Sequence, residues 1–299
     1  MNEFSVPMPM SQSPAVARLI VRVALREARE IGSMTQGQVA KSLDWSLSKI
    51  QRIESGDVTV STTDLMAMVR HFGNVTTEDA DRLVELVRVS RKGTGWWDQP
   101  EYKAHLSAPT LELIQFEGEA AVIRAYNPHV VPGILQTQAY TESVFDKWNP
   151  RMDPECKRVK LEARGQRGPK VFDRQPPPDY EVLLDESVLY RQVGPVDVMA
   201  AQLDDLLRRV AADQVSIGIL TYEAALPEPV HPFTLLGFGD TYSVLYEETS
   251  PQDRIITDAE QIELHRLSFE RMWQAGVEGP AATDLVKRRL KDLRKKKST

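Results

Sequence analysis

Cysteine is nearly absent from the sequence, because Cys156 is the only one among 299 residues. A lone cysteine excludes intramolecular disulfides, so we expect a reducing compartment and no disulfide-stabilised secreted domain. The sequence also contains no apolar run of the ~20 residues that a membrane helix needs. The N-terminal residues show no basic region followed by an apolar stretch, so no signal peptide is predicted. We therefore expect a cytoplasmic protein with no membrane contact.

Motifs for metal, nucleotide and nucleophile chemistry are also missing. The five histidines show no paired metal-ligand spacing and are scattered, at positions 71, 105, 129, 231 and 265. Gly237-x-Gly239 does not continue into a phosphate-binding pattern, and a β-hairpin explains it better. No G-x-S-x-G motif is present, and no convergent set of titratable groups stands out. We therefore expect no metal, no cofactor and no catalytic residues. An enzyme whose C-terminal region is catalytic and is controlled by its N-terminal region is the alternative hypothesis.

Charge is distributed unevenly along the chain, whose formal net charge is −6. Residues 1–95 hold 12 basic and 11 acidic residues, residues 96–284 hold 17 and 31, and residues 285–299 hold 8 and 1. The acid is thus concentrated in the middle, and a weakly basic N-terminal region can still bind a polyanion through local placement of its cations. The final basic run has three open interpretations: a solvated helix end, nonspecific attraction to DNA, or pairing with the acidic region of another subunit.

Composition and periodicity predict an α+β protein, with an all-α N-terminal domain followed by a domain with a mixed or antiparallel sheet and C-terminal helices. The boundaries are a disordered tail at 1–14, a helical domain at 15–75, a connecting helix and linker at 76–95, an α+β domain at 96–290 and a basic tail at 291–299. Helices are predicted at 15–31, on both sides of Asp44-Trp45, and at 62–72, 78–90, 110–119, 136–145, 153–167, 196–212, 258–274 and 283–297. Strands are predicted at 121–126, 180–185, 215–221, 233–238 and 242–247.

The segment TQGQVAKSLDWSLSKIQRIESG, residues 35–56, predicts two short helices joined by a turn. Val39, Ala40 and Leu43 form an apolar side of the first helix. Ile50 and Ile53 form an apolar side of the second. Such a pair buries too little surface alone, so we expect it to pack against flanking helices through Leu19, Val23, Leu65, Met68 and Phe72. Ser46 is suited to cap the second helix.

The exposed side of the second helix fits the major groove of DNA. Arginine can bond guanine bidentately and glutamine can bond adenine in the same way. Near the start of the first helix, Gln36 can set its backbone N–H or its side chain against a phosphate. The predicted contacts to double-stranded DNA are Gln36, Ser46, Leu47, Ser48, Lys49, Gln51 and Arg52. The alternative is that these residues only form the solvated face of a helical bundle.

The pattern Thr-Gln-x-x-x-Ala-x-x-Leu…Ser-x-x-Lys-Ile-x-x-Ile-Glu-x-Gly, starting at Thr35, resembles the lambda-repressor-like (XRE-type) helix-turn-helix domain. The resemblance covers about residues 15–75 and implies that Glu54 pairs with an arginine of the first helix, either Arg26 or Arg29. Leu47 occupies a position that is often polar in this family, and we expect it to contact a thymine methyl group. Asp44-Trp45 replaces the more common glycine-containing turn.

Residues 131–137, VPGILQT, resemble the V-P-G-L-L-Q-T signature of a C-terminal domain found in many actinomycete helix-turn-helix regulators. Segments at 184–194 and 232–236 extend that resemblance. It implies a regulator that is often encoded beside a small partner protein, in an arrangement likened to a toxin–antitoxin pair.

The second domain offers one hypothesis for a ligand site. Pro132-Gly133 and Gln136 are best interpreted as a rigid corner between a strand and a helix, and Asp185 with Glu186 as an electrostatic helix cap. Together, Arg124, Tyr126, Gln136 and Asp185 could also line a small-molecule pocket at a sheet edge.

The sequence therefore predicts a DNA-binding regulator, homodimeric on a palindromic operator, that senses a small-molecule effector or a small protein partner. An antitoxin-like factor that mainly binds a small partner protein is the alternative.

Overall fold

The structure is a computed structural model that describes residues 13–56, 58–91, 95–224, 231–239, 242–249 and 253–297. The chain divides into two compact units, residues 1–94 with 238–242 and residues 95–237 with 243–299. Most of the predicted disordered tail (1–12), the core of the predicted linker (92–94) and the last residues of the basic tail (298–299) lie outside the described residues. Residues 13 and 14 do not belong to a disordered tail, because Ser13 caps the first helix and Pro14 begins it.

The first unit is helical and its helices begin at serine or threonine caps. They are α1 (Pro14–Ile31), α2 (Gln36–Ser42), α3 (Leu47–Ser55), α4 (Thr62–Phe72) and α5 (Thr77–Ser90). In each case the capping side chain accepts a hydrogen bond from the backbone N–H three residues later, which satisfies one of the unpaired donors of the first turn. Ser46 caps α3 in this way, as predicted.

The core of the first unit is shared among its helices. Val39 and Ala40 of α2 and Ile50 and Ile53 of α3 are buried. The residues expected to cover them from α1 and α4 are buried as well: Leu19, Val23, Leu65, Met68 and Phe72. Leu43 differs from the expectation, because it ends α2 as its C-cap and is only half-buried. The short helices α2 and α3 are therefore held by burial against their neighbours rather than by their own length.

The second unit contains a longer set of helices. They are α6 (Pro100–His105), α7 (Ala108–Glu117), α8 (Gln138–Trp148), α9 (Pro154–Phe172), α10 (Ser187–Tyr190), α11 (Val196–Ala211), α12 (Ala259–Ala275) and α13 (Gly279–Lys297). Short 3-10 turns occur at Trp96–Asp98 and Gly133–Leu135. The predicted helices correspond to α7, α8, α9, α11, α12 and α13, and the helix expected directly after Asp185 and Glu186 is α10. Helix α6 was not predicted.

The strands of the second unit form one mixed sheet. They are β1 (Val122–Asn127), β2 (Asp179–Asp185), β3 (Ser216–Leu220), β4 (Phe233–Phe238), β5 (Tyr242–Glu247), β6 (Arg254–Ile256) and β7 (Val277–Glu278). Among the described residues the strand order is β6-β5-β4-β1-β2-β3-β7. The neighbours β1, β2 and β3 are parallel, whereas β4, β7 and β6 run antiparallel to β1, β3 and β5 respectively. The α+β class and the mixed sheet are thus confirmed.

Both faces of the sheet are covered by helices. On one face, Tyr126, Leu183 and Phe233 pack with Phe269 and Met272 of α12. On the other, the ring of Tyr180 contacts Phe172 of α9, with centroids 5.4 Å apart. Burial on both faces explains why β1 and β2 are rich in apolar residues without a strict polar alternation.

The C-terminal helix α13 includes most of the predicted basic tail. Its apolar side is buried through Ala282, Val286, Leu290 and Leu293. Arg294 forms an ion pair with Asp204 of α11 at 2.8 Å. Residues 291–297 therefore continue a packed helix rather than form a separate tail.

Candidate nucleic-acid interface

In the turn between α2 and α3, Asp44 adopts the left-handed backbone conformation. Its φ is 54°, a conformation that aspartate tolerates better than most side chains because it can bond locally. The backbone N–H of Trp45 then donates to the carbonyl of Ala40 at 2.8 Å. Asp44 thus takes the place of the glycine that is more common in such turns, and the helix-turn-helix geometry is preserved.

A buried ion pair fixes the end of α3 against α1. The guanidinium of Arg29 donates to both carboxylate oxygens of Glu54, at 2.7 and 3.0 Å. The two side chains are only 10% and 3% exposed. Of the two arginines implied by the family resemblance, Arg29 is therefore the partner of Glu54. Its pKa is raised above the ordinary value, mainly by the hydrogen bond to Glu54, so the guanidinium stays charged.

The same ion pair organises the start of α2. Gln36 donates from Nε2 to Oε2 of Glu54 at 2.9 Å, and Arg29 donates to the carbonyl of Met34 at 2.8 Å. The prediction that the Gln36 side chain faces a phosphate therefore needs correction, because this side chain is bonded to Glu54. Its backbone N–H remains suited to a phosphate contact, since it lies in the first turn of α2, where backbone donors have no partner within the helix.

Four predicted contacts share the solvent-facing side of α3. Leu47 is 46% exposed, a large value for an apolar side chain, and Ser48, Gln51 and Arg52 are exposed beside it. Positions i, i+1, i+4 and i+5 lie on one side of a helix, opposite Ile50 and Ile53. Among the described residues, the Arg52 guanidinium forms no ion pair within 4 Å. This side of α3, formed by Leu47, Ser48, Gln51 and Arg52, is named the α3 face below.

Lys49 does not point freely into solvent as predicted. Its ammonium forms an ion pair with Asp64 of α4 at 2.8 Å and lies 3.6 Å from the ring centroid of Trp45. Lys49 is therefore half-buried, and these two contacts compete with any phosphate. Ser46, also predicted as a DNA contact, is exposed but has its hydroxyl engaged as the α3 cap.

Arg22 supports the C-terminal end of α3, a role that the sequence did not indicate. It donates to the carbonyl of Ser55 at 2.9 Å. Gly56 follows, with φ of 87°, and a Cβ placed there would lie 2.1 Å from Nη1 of Arg22. Glycine at this position both permits the left-handed turn and leaves room for the guanidinium. The signal in the sequence was the spacing of Arg22, Arg26 and Arg29, which repeats about once per turn of α1 and indicates that arginines on one side of α1 can contact α3.

The four residues proposed for a ligand pocket are not brought together at a sheet edge. The strand β1 is central in the sheet, where Arg124 forms an ion pair with Glu181 at 2.6 Å and Tyr126 is buried beside α12. Burial raises the pKa of Tyr126 to about 12, and the nearby Asp185 adds to the shift. Oδ1 of Asp185 accepts from the backbone N–H of Ser187 at 2.8 Å at the start of α10, whereas Glu186, the residue at the N-cap position, makes no capping bond with its side chain.

Gln136 lies elsewhere, in the turn that precedes α8. Its Nε2 donates to the carbonyl of Val131 at 2.7 Å, and its Oε1 accepts from Thr141 at 3.0 Å and from Arg164 at 3.2 Å. The buried Gln202 closes the same turn, because it bonds the N–H of Thr137 at 2.7 Å and the carbonyl of Leu135 at 2.8 Å. These bonds support the interpretation of residues 131–137 as a rigid corner.

In the part of the chain that the structure describes, no three histidine, cysteine, aspartate or glutamate side chains are grouped so as to hold a metal ion. None of the helices in that part combines the length and the apolar character needed to cross a membrane.

Two family models match the chain in separate regions. Residues 21–83 match a model described as "Helix-turn-helix domain", which spans α2, α3 and the Arg29–Glu54 pair. Residues 110–288 match a model described as "Domain of unknown function (DUF5753)", which spans the sheet and most of the second unit. No curated protein and no solved structure matches the chain. The matches support a helix-turn-helix regulator with an uncharacterised C-terminal domain, and they do not specify a subfamily.

Proposed function

Because this chain belongs to the DUF5753 family and also bears a helix-turn-helix domain, we propose that it is a sequence-specific DNA-binding transcriptional regulator. The observation that supports this best is the α3 face, whose exposed residues are directed outward while Glu54 and Ile53 anchor the same helix to the bundle. A rigidly held helix with exposed arginine and glutamine is suited to direct contact with base edges. The proposal assigns the protein a regulatory role rather than an enzymatic one, in the cytoplasm where bacterial DNA lies.

The α3 face offers complementary contacts to the major groove. Arg52 can donate two hydrogen bonds to a guanine, and Gln51 can bond an adenine in the same bidentate manner. Leu47 is suited to the methyl group of a thymine, and Ser48 to either kind of base edge. The backbone N–H groups at the start of α2 are suited to a phosphate, which would set the orientation of α3 without adding sequence preference.

One helix-turn-helix domain contacts few base pairs, so we propose that the protein binds a palindromic operator as a homodimer, in the manner of XRE-type regulators. We further propose that the second unit senses a small-molecule effector. Such an effector changes operator affinity by the difference between its binding free energies to the DNA-competent and DNA-incompetent states.

The charge of the second unit favours an additional candidate role. Residues 96–284 hold 31 acidic and 17 basic side chains, an excess that residues 285–299, with 8 basic and 1 acidic, offset in part. The acidic excess that remains attracts a basic partner. A small basic protein bound there would give the antitoxin-like arrangement that the resemblance to actinomycete regulators implies. Purification from the native host followed by mass spectrometry distinguishes the roles, because a stoichiometric small protein supports the antitoxin-like role and a bound metabolite supports the sensor.

Binding of the full-length protein to genomic fragments tests the proposed DNA contact. Fragments retained at moderate salt are sequenced to give the operator, and its affinity is compared with that of a scrambled duplex. Arg52→Ala is expected to weaken operator binding by about 1–3 kcal/mol, roughly 5- to 150-fold, and to affect the scrambled duplex less. Arg88→Ala is the matched control, because it removes the same charge from an exposed site on α5.

Two results would contradict the proposal in different ways. An equal loss on operator and scrambled DNA would make Arg52 a phosphate contact rather than a base contact. Failure of the wild-type protein to retain any fragment, even at low ionic strength where phosphate attraction is strongest, would refute DNA binding itself.

A further inference from the structure

A cavity of about 370 Å³ lies within the second unit, between α7, α8 and α9. Four of its residues come from α9 at one-turn spacing, so that a single side of this helix forms one wall. The lining includes Lys160, Arg164 and Arg167 of that wall, together with Ile114, Phe145, Met152 and Asp253. None of the DNA contacts proposed above lies in it.

Arg164 is the central charged group of this wall. Its guanidinium lies over the ring of Phe145, 5.0 Å from the centroid, and donates to Oε1 of Gln136 at 3.2 Å. Among the described residues it forms no ion pair within 4 Å. Its pKa falls to about 10, because burial and then the neighbouring Arg167 disfavour the charge. Arg164 is therefore still protonated at neutral pH, and it is held in place by neutral groups rather than neutralised by a carboxylate.

Arg167 differs from Arg164 because it has a partner. It donates to both oxygens of Glu117, at 2.8 and 2.6 Å, in a buried bidentate pair. Burial disfavours the charged form of Arg167 and by itself would lower its pKa. The charge of Glu117 and its hydrogen bonds act in the other direction and have the larger effect, so the pKa of Arg167 is raised. The pair is electrically neutral. Among the described residues, the half-buried Lys160 and Arg164 are then the cations of the α9 wall that form no ion pair.

Two acidic side chains lie near the cavity, and among the described residues neither forms an ion pair with Arg164 or Lys160. Asp253 lines the cavity, and its Oδ2 accepts a hydrogen bond from the hydroxyl of Tyr246 at 2.6 Å. Glu248 lies close enough to act on Arg164 electrostatically, and burial raises the pKa of the Glu248 carboxyl. The charge of the α9 wall is thus offset in part, but its two cations are not held by these carboxylates.

Apolar side chains form another part of the cavity lining. Ile114 of α7, Phe145 of α8 and Met152 of the following loop line the space beside the α9 wall, with the Phe145 ring against the Arg164 guanidinium. A concave space of a few hundred cubic ångströms that combines apolar side chains with a few charged groups is typical of small-molecule sites. We propose that this cavity binds a small organic anion, with its carboxylate or phosphate on Arg164 and Lys160 and its apolar body against Ile114, Phe145 and Met152.

The site is the effector site of the proposed regulator, so its biological role rests on the proposed function, whereas its chemistry does not. Gln136, one of the residues predicted for a ligand pocket, contributes to it by orienting the Arg164 guanidinium. A Cβ added to Gly133 would lie 3.1 Å from Cζ of Arg164, so glycine at this position also leaves room for that guanidinium. The VPGILQT corner therefore shapes one side of the site.

Calorimetric titration of the full-length protein without DNA tests the proposal. Octanoate and octyl phosphate serve as probes that combine an apolar body with either anionic group, and 1-octanol and inorganic phosphate supply each part alone. We expect saturable binding of octanoate, octyl phosphate or both, and at least tenfold weaker binding of the two partial probes. The octanoate–octyl phosphate comparison identifies the preferred anionic group.

Three variants locate the binding. Arg164→Met keeps the length of the side chain but removes its charge, and is expected to weaken binding of the preferred probe at least tenfold. Met152→Trp is expected to abolish binding by filling the apolar side. Arg208→Met is the matched control, since this arginine of α11 is 71% exposed and does not line the cavity. Hydrogen exchange of α9 establishes that each variant is folded.

Some outcomes would overturn the proposal. One is the absence of saturable binding of both amphipathic probes by the wild-type protein. Another is equal binding by wild type, Arg164→Met and Met152→Trp. Binding of inorganic phosphate as tight as that of octyl phosphate would also refute the apolar part of the site. Because no DNA is present, these results are independent of the Arg52 experiment, so failure of the site and failure of the DNA-binding proposal are distinguishable.

Discussion

Replacement of Glu54 by alanine tests how α3 is held in position. The substitution removes the carboxylate that accepts from Nε and Nη2 of Arg29, at 2.7 and 3.0 Å, and from Nε2 of Gln36, at 2.9 Å. Arg29 would then be a buried cation with a single neutral acceptor, the carbonyl of Met34, and the exposed Glu30 as its remaining anion. We therefore expect the variant to loosen the contact between α1 and α3.

The loss of stability expected for this variant is set by the burial of the Arg29–Glu54 pair. Removing one partner of a buried ion pair costs about 3–5 kcal/mol, because the remaining charge has lost its compensation. Glu54→Gln keeps the shape and one acceptor oxygen, so a smaller cost of about 1–3 kcal/mol is expected, in the range for an unsatisfied buried group. Glu78→Ala is the control, since Glu78 is 76% exposed in its ion pair with Arg82 and such pairs contribute about 0–1 kcal/mol.

Hydrogen exchange on the full-length protein measures these differences within the first unit. Amides of α1 and α3 that exchange through global opening of this unit report its opening free energy, while peptides of the second unit serve as an internal reference. A loss of 3–5 kcal/mol corresponds to roughly 150- to 5,000-fold faster exchange, at one factor of ten for each ~1.4 kcal/mol. The Glu78→Ala variant is expected to change exchange by less than about fivefold.

A small effect of Glu54→Ala would refute this reasoning. If the variant lost less than about 1 kcal/mol, the cost of desolvating Arg29 and Glu54 would equal their attraction, and the pair would not determine the position of α3. A result in which only α3 amides respond, with α1 unchanged, would show instead that Glu54 acts within its own helix. The predicted signature is acceleration in both helices together.

Two further substitutions test the turns that support the proposed sites. Gly56→Ala places a Cβ on a left-handed residue, which costs about 1–2 kcal/mol, and it also displaces the Arg22 guanidinium. Gly73→Ala is the control, because its φ is 69° but a Cβ there meets nothing within 4 Å. Gly56→Ala should therefore destabilise the first unit more than Gly73→Ala does. Equal exchange rates for the two variants would argue against the Arg22 contact. Gln202→Leu should destabilise α8 by about 2 kcal/mol or more, because it orphans two buried backbone groups, whereas Gln138→Leu on the exposed surface should stay within about 0.5 kcal/mol. Unchanged exchange of α8 in Gln202→Leu would show that the corner is held by other contacts.

Much of the first unit was predictable because local chemistry determines its helix ends. Ser46 caps α3 and Gly73 ends α4 in a left-handed conformation, and both effects act within one helical turn. In the second unit, α6 has six residues and α10 has four, which is too short for a hydrophobic period to be visible. The strands β6 and β7, of three and two residues, form only by pairing with β5 and β3. Such nonlocal pairing leaves no local pattern in the sequence.

The end of α9 was misplaced for a related reason. The helix was predicted to stop at residue 167, ahead of Gly168 and Pro169, but it continues to Phe172. A Cβ at Gly168 would approach the carbonyl of Ile134 to 3.3 Å, so the small residue allows α9 to pack close to the 131–137 corner. Tertiary packing thus outweighs the low helix propensity of Gly168 and Pro169.

The α3 face followed from spacing alone, because the positions of Ile50 and Ile53 determine which side of the helix is outward. The bonding partners of individual side chains could not be predicted in this way. Lys49 is engaged because Asp64, fifteen positions later in α4, lies beside it, and this distance along the chain gives no sequence signal. The choice between Arg26 and Arg29 likewise depended on how α1 and α3 cross.

The residues predicted for a ligand pocket do not meet at a sheet edge, but one of them, Gln136, contacts Arg164 of the proposed cavity. Arg124 and Tyr126 were grouped with Gln136 because polar and aromatic residues alternate on a strand, but strand order places β1 in the centre of the sheet. The spacing of Lys160, Arg164 and Arg167 on one side of α9 was the more informative signal, because it places three cations along one wall. In the described part of the chain, Arg167 pairs with Glu117 and Arg164 forms no ion pair. Gln136 links the two lines of evidence, because the same amide that closes the corner also orients Arg164. A structural role for the corner and a binding role for the cavity are therefore compatible, because the rigid corner holds a guanidinium that has no ion-pair partner among the described residues at the cavity wall.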